Sequence, residues 1–467
     1  MERPLKKRLL RLTALSICGL ATALGDLSLG EDRSRDGSGL SWISSAYADD
    51  DDDDDDRGGG GSSRGSDDRG SGGTWRGGGN LLDLLRQTPE RRAEARRTPV
   101  RRPSHAPGEI IALGLDNAAL QRLAANGFTV RAREPLGLSA NEIVKLGVPK
   151  GMSLEDARRQ VGDATPGTIA DLNHYFEPNE GATSPPPCAD GGCALVRDAI
   201  GWPAPDGDAA CTAAGPIGLI DTAINPAHPA LKDVKLDIVR LTTEEVPASG
   251  KQHGTAVAAL IAGRQDSRAP GLLRNAHLIA VDAFQRTHGE TDMAETYDLV
   301  RAIDLLASRN VAVINMSLSG PHNLLLEKTV SLVAERNIIQ VAAAGNDGPR
   351  ARPVYPAAYP AMIAVTAVDR NFKPYRRAAR GDHIDVAALG TSVWTAASVE
   401  GAAPRTGTSF AAPFVTAAVA ILRKSHPRMS ADEIAKLVAQ TTEDLGAPGK
   451  DPVFGWGVLN ARQLCRS

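Results

Sequence analysis

Aromatic residues are scarce: Phe, Trp and Tyr make up 4% of the 467 positions, against 47 Gly and 30 Pro. With so few large side chains, part of the chain does not pack at all. Charge of one sign is also missing, because 53 Lys and Arg meet 56 Asp and Glu for a net charge of −3. That excludes a generally basic nucleic-acid binder and leaves only a local patch open. Long apolar runs are missing too, which excludes a polytopic membrane protein. What remains is 42% hydrophobic residues, enough for at least one sizeable core. The length sets a prior of about two to four domains.

The distribution along the chain is uneven. Arg3, Lys6, Lys7, Arg8 and Arg11 precede an apolar stretch, Leu12 to Leu24, in the pattern of a secretion signal. Small-x-small sites follow at Ala23-Leu24-Gly25 and Ala46-Tyr47-Ala48. The second is favoured because an Asp run begins at Asp49, giving residues 1–48 as signal peptide and a chain outside the cytoplasm, secreted or periplasmic. Residues 49–107 read as a linker rich in Asp, Gly, Ser and Arg that cannot offset its own ordering entropy.

From Gly108 the texture changes. Glu109 to Leu115, Phe128 to Arg133, Asn141 to Val148 and Thr168 to Phe176 read as strands. Asp116 and Ser153 are placed to cap two helices between them. The order is βαββαβ, a ferredoxin-like plan over residues 108–178, followed by a linker at 179–199.

Three segments carry chemistry. An apolar strand, Ile217 to Asp221, ends in a carboxylate, where active residues gather in parallel sheets. His253 opens a helix of small residues running to Gly263, and Ser409 opens another, with Pro413 expected in its first turn. Each feature alone is ordinary; together they stand in the order Asp, His, Ser.

In that order the chain resembles the subtilisin-like serine proteases, the subtilases (peptidase S8). The resemblance runs from about Ile200 to Leu464. It includes Val313-Ile-Asn-Met-Ser-Leu-Ser-Gly-Pro321, similar to the strand lining the substrate cleft, and Val341-Ala-Ala-Ala-Gly-Asn346, similar to the oxyanion segment. It implies a doubly wound, mostly parallel sheet over residues 200–467. Strands fit Ile217–Asp221, Leu278–Val281, Val311–Met316, Ile338–Ala343 and Ile363–Val368. It also implies an endopeptidase made as a zymogen, with the βαββαβ segment as its propeptide, chaperone and inhibitor. Protein or peptide substrates are the expected partners of a monomer, with no nucleic acid and no membrane span once the signal is gone.

The implied roles fit the chemistry. His253 takes the Ser409 proton as base and returns it as acid, while Asp221 holds the imidazole tautomer. The Asn346 amide and the Ser409 N–H donate to the oxyanion. Ser317, Leu318 and Ser319 with Ala343, Ala344 and Gly345 are the expected substrate cleft. Ser319 stands where Gly is common and is expected to crowd a paired substrate. Val354 and Ala357 stand in a region of family glycines, which implies a small to medium apolar first specificity pocket. Phe410 replaces a common Met, removing an oxidation target beside the nucleophile.

No cofactor is expected for catalysis. The short segment between Gly263 and His277 has no Asn-rich calcium loop, so no calcium is expected there; other structural calcium stays open, with no site identified. His228 is expected to be structural, and His277, His288, His322, His383 and His426 show no metal spacing. Of five cysteines, Cys18 would leave with the signal. Cys188, Cys193, Cys211 and Cys465 allow three full pairings, a Cys188–Cys193 bridge among them, or free thiols. Two other readings are weighed: a catalytically silent, propeptide-occupied pseudoprotease, and an α/β-hydrolase esterase, which the residue order opposes.

Overall fold

A computed structural model describes residues 103–179, 195–202, 212–243, 245–287, 291–462 and 464. The proposed signal, most of the Asp-rich linker, all five cysteines and His288 lie outside them.

The first lobe runs β1 (His105–Leu113), α1 (Asn117–Ala125), β2 (Thr129–Pro135), β3 (Glu142–Gly147), α2 (Leu154–Gly162) and β4 (Ile169–Pro178). Asp116 and Ser153 accept from Ala119 N and Asp156 N, capping the two helices as their positions suggested. The strands pair antiparallel in the order β2-β3-β1-β4. One sheet face buries Leu120, Leu123, Phe128 and Val161 under the helices. The other places Ile111, Leu113, Leu136 and Ile143 against the second lobe. Strands β1 and β4 are longer than the apolar pattern suggested. Pairing sets their ends: His105 pairs with His174, and the end of β4 pairs outside its own lobe.

The second lobe continues with α3 (Leu195–Ala199), β5 (Ile217–Asp221), β6 (Lys235–Arg240), α4 (Gln252–Ala262), β7 (His277–Asp282), β8 (Phe284–Arg286) and β9 (Asp292–Glu295). Then come α5 (Thr296–Ser308), β10 (Val313–Met316), β11 (Leu318–Ser319), α6 (Leu324–Glu335), β12 (Ile339–Ala343), β13 (Ile363–Val368) and β14 (Val386–Leu389). The rest is β15 (Val393–Ala396), β16 (Ala402–Arg405), α7 (Thr408–Ser425), α8 (Ala431–Gln440), β17 (Thr442–Glu443) and β18 (Val458–Leu459).

Nine strands form one sheet in the order β17-β18-β14-β13-β12-β10-β5-β7-β6, parallel except for β17. Its central strands are buried on both faces, which is why they read as unbroken apolar runs. One face packs against α4 and α7, the other against α5 and α6. Each fully buried Leu, Ile, Val or Phe contributes about 1.5–3 kcal/mol. Helix α8 is set by its capping box, Ser430 with Glu433, and packs through Ile434 and Val438.

Candidate active site

The carboxyl ends of β5 and β10 and the amino ends of α4 and α7 meet at one place. Asp221, His253, Ser409 and Asn346 are all there, at 3%, 4%, 0% and 3% exposure. Helix α4 reaches β5 because Gly254 has no side chain: a Cβ there would lie 2.2 Å from Thr222 O. Gly254 N donates to Thr222 Oγ1 at 3.0 Å, and His253 Nδ1 lies 2.6 Å from Asp221 Oδ1. The same oxygen accepts from Thr222 N at 2.7 Å. Phe410 packs beside the His253 ring, with centroids 5.7 Å apart.

Pro413 sits in the second turn of α7, not in the first as the sequence suggested. Lacking an N–H, it leaves the carbonyl of Ser409, four residues back, without its helical bond. Ser317 Oγ donates to that carbonyl at 3.0 Å. Asn315 Nδ2 donates to Ser317 Oγ at 3.0 Å, and Thr416 Oγ1 donates to Asn315 Oδ1 at 2.9 Å. This buried polar chain ties the Ser409 backbone to β10. Nothing in the sequence signalled this link: Asn315 lies within the segment similar to the cleft-lining strand, and nothing local distinguishes Thr416.

Asn346 is oriented from below. Its Oδ1 accepts from Thr408 N at 3.1 Å and from Thr408 Oγ1 at 3.3 Å, so Nδ2 faces the cleft. There it donates to the carbonyl oxygen of Asn179 at 2.6 Å. Ser409 Oγ donates to the same oxygen at 2.6 Å, and to Ser317 O at 3.2 Å. The backbone at the end of the first lobe therefore lies on Ser409.

The strand leading to Asn179 is held on both sides. Strand β9 pairs Glu295 with Tyr175 and Ala294 with Phe176, and β11 pairs Leu318 with Pro178 and Ser319 with Glu177. Asn179 N donates to Ser317 O at 3.1 Å. Thus Ser317, Leu318 and Ser319 lie along the end of β4. Ser319 does not crowd it. The position that tolerates no side chain is the next one, Gly320, where a Cβ would lie 2.4 Å from Phe176 Cδ1. Strand β9 flanks the end of β4 on its second side, which the sequence did not reveal; four residues carry no periodic signal. Asn179 is 5% exposed, and its Oδ1 accepts from Asn346 Nδ2 at 3.0 Å. Val354 packs on Gly345, where a Cβ would lie 2.8 Å from Val354 Cγ2. Ala343 and Ala344 are fully buried, and Ala357 lies in the core beside Tyr359.

The lobes are further joined by ion pairs of Lys145 with Glu295 and Arg301 with Glu134, and by Asp304, which accepts from Gly137 N at 3.0 Å and Leu138 N at 2.6 Å. His228 is buried and accepts from Ala230 N at 3.1 Å, a structural place, and burial lowers its pKa. Among the described residues, no group of three or more His, Cys, Asp or Glu is placed to hold a metal ion. Nor is any helix there long and apolar enough to cross a membrane.

The subtilase family model matches residues 215–457. The chain belongs to the subtilase family. It is 31% identical over 249 residues to Subtilisin DY of Bacillus licheniformis, covering 52% of this chain and 88% of that protein. It is 31% identical over 252 residues to Subtilisin E of Bacillus subtilis (strain 168), covering 53% of this chain and 64% of that one. The fold is similar to that of fervidolysin from Fervidobacterium pennivorans, a keratinolytic enzyme related to subtilisin. The TM-score is 0.65 at 21% identity, over 79% of this chain and 62% of that one. The chain is accordingly a serine endopeptidase with a subtilisin-like fold.

Proposed function

We propose that this subtilase is an exported zymogen that cuts its own chain after Asn179, using Asp221, His253 and Ser409 as its catalytic triad. The observation that carries this reading is the Asn179 carbonyl, 2.6 Å from both Ser409 Oγ and Asn346 Nδ2. That is where the carbonyl of a bond about to be cleaved, or of a product just released, would sit.

In this reading Ser409 Oγ attacks the Asn179 carbonyl carbon, its proton passing to His253. The Nδ1 bond to Asp221 fixes the tautomer that accepts at Nε2 and stabilises the imidazolium. Asn346 Nδ2 already faces the oxygen on which charge develops; removing one such donor costs about 10²–10³ in kcat in subtilisin. The protonated His253 then donates to the leaving amine of Glu180, and water resolves the acyl-enzyme. The first lobe, residues 108–179, remains as a product-bound inhibitor, its last strand filling the cleft by β-addition. The mature chain would begin at Glu180. The specificity supported is an apolar slot for Phe176, three residues before Asn179; the resemblance adds a small to medium apolar first pocket near Val354 and Ala357. The basic, then apolar start supports export, and no cofactor is assigned to the reaction.

The test is the amino-terminal residue and mass of the purified protein, for the native chain and Ser409→Ala. We expect the native chain to begin at Glu180 and the variant to keep its first lobe. Loss of that lobe from pure Ser409→Ala protein refutes self-processing. A native start elsewhere refutes the assignment of Asn179.

A further inference from the structure

Strands β5, β7 and β6 run parallel and in register, so Asp221 stands abreast of Asp282, and Asp282 abreast of Arg240. Asp282 is therefore a second carboxylate beside the triad, at 4% exposure. Its Oδ1 accepts from Ser249 Oγ at 2.9 Å and from Phe284 N at 3.1 Å. Ser249 Oγ in turn accepts from Ala223 N at 2.8 Å, so Asp282 reaches the turn that follows Asp221. Asp221 Oδ1 is taken by His253 and Thr222 N, while its Oδ2 is buried with no hydrogen-bond partner.

The two bonds that Asp282 accepts need only an oxygen, and an amide would supply one. A buried charge is not required for them and is costly to keep. The charged groups that face Asp282 are few. Asp221 comes from β5. Arg240 comes from β6, with its Nε on Thr242 and its Nη2 on Val246 O. His253 stands beyond Asp221 on α4. Asp292 on β9 is taken up by Gly250 N and Arg286.

We propose that Asp282 is a positioning residue of the triad: it locks the turn after Asp221 through Ser249 and, when ionised, adds a second negative charge that favours the His253 imidazolium. The inference rests on the proteolytic reading above. Burial pushes the Asp282 carboxyl up to about 6; the Ser249 and Phe284 hydrogen bonds and Arg240 oppose this, and Asp221 adds to it. The second charge thus appears as the solution becomes neutral, where His253 must act as base.

The test is the pH profile of kcat and kcat/KM for peptide hydrolysis by the processed enzyme, with active sites counted by a serine-reactive phosphonate so that only folded enzyme contributes. Asp282→Asn keeps the acceptor and removes the charge. We expect the acid limb to move down by about half to one pH unit and the plateau kcat to fall roughly 3- to 10-fold, with KM unchanged. Ser249→Ala loses the clamp and one of the bonds that hold the Asp282 carboxyl down, so its limb should move less than that of Asp282→Asn while kcat falls. A profile of Asp282→Asn that superimposes on the native one, or falls without moving, overturns the charge role. So does an equal shift of the limb in Ser249→Ala. A native enzyme that hydrolyses no peptide overturns the proteolytic reading instead.

Discussion

Acidification should loosen the first lobe's grip on the enzyme, through His174. Asn323 at the start of α6 is fully buried, and its Oδ1 accepts from Leu325 N at 3.0 Å and Leu326 N at 3.2 Å. Its amide therefore cannot flip without uncapping the helix. Nδ2 donates to Leu172 O at 2.9 Å and faces His174 Nδ1 at 3.0 Å. His174 must accept there, so its Nδ1 carries no proton. Burial lowers the His174 pKa from its ordinary 6.5; Asp171 opposes this, and His105, His322 and Arg158 add to it. A group depressed in the complex contributes stability above its free pKa and withdraws it as pH falls through the depressed value. Between those two values the affinity falls by up to tenfold per pH unit. Protonation turns one buried hydrogen bond into two opposed donors, a loss of about 1–3 kcal/mol, or roughly 5- to 150-fold. The assay is a brief acid step on the processed, still inhibited enzyme, followed by peptide hydrolysis for every sample at one fixed, mildly alkaline pH. The native complex should gain activity with the acidity of the step. His174→Asn, which offers a non-titrating acceptor at the Nδ1 position, should respond much less. Equal responses from the two proteins would refute the reasoning.

Two substitutions probe the cleft. Gly320→Ala places a Cβ where Phe176 now packs; overpacking of about 1–3 kcal/mol should slow cleavage of peptides with Phe at that position roughly 5- to 150-fold relative to Ala there. An unchanged Phe-to-Ala ratio of kcat/KM would remove Gly320 from the specificity argument. Val354→Gly should deepen the first pocket and raise the ratio for Leu over Ala there by roughly tenfold. A peptide panel that shows no change in this ratio would place the pocket floor elsewhere.

Much of the fold was legible in both lobes because its signals are local. Buried parallel strands such as β5 and β13 are continuous apolar runs, and Asp116, Ser153 and Ser430 sit where a side-chain oxygen meets the first free N–H groups of a helix. The three residues proposed as the triad stood out for a related reason: each opens or closes an element, and their order along the chain differs between unrelated folds.

What lay beyond the sequence is whatever depends on which strand lies beside which. Nothing around residue 179 announces that its carbonyl rests on Ser409, 230 positions away. The pairing of β4 between β9 and β11 decides it. The turn that Pro413 occupies is a local matter, but the partner for the carbonyl it frees, Ser317, comes from another strand. Asp282 is a lone acid at a strand end until register sets it beside Asp221. Sequence alone determined the long apolar central strands, several helix caps and the residue types able to carry proton transfer and nucleophilic attack, because those follow from short-range sterics and periodicity. The tertiary structure decided which bond lies in the cleft and which charges surround the triad. Hydrogen-bond register and burial are properties of neighbours in space, and the chain brings those neighbours together only on folding.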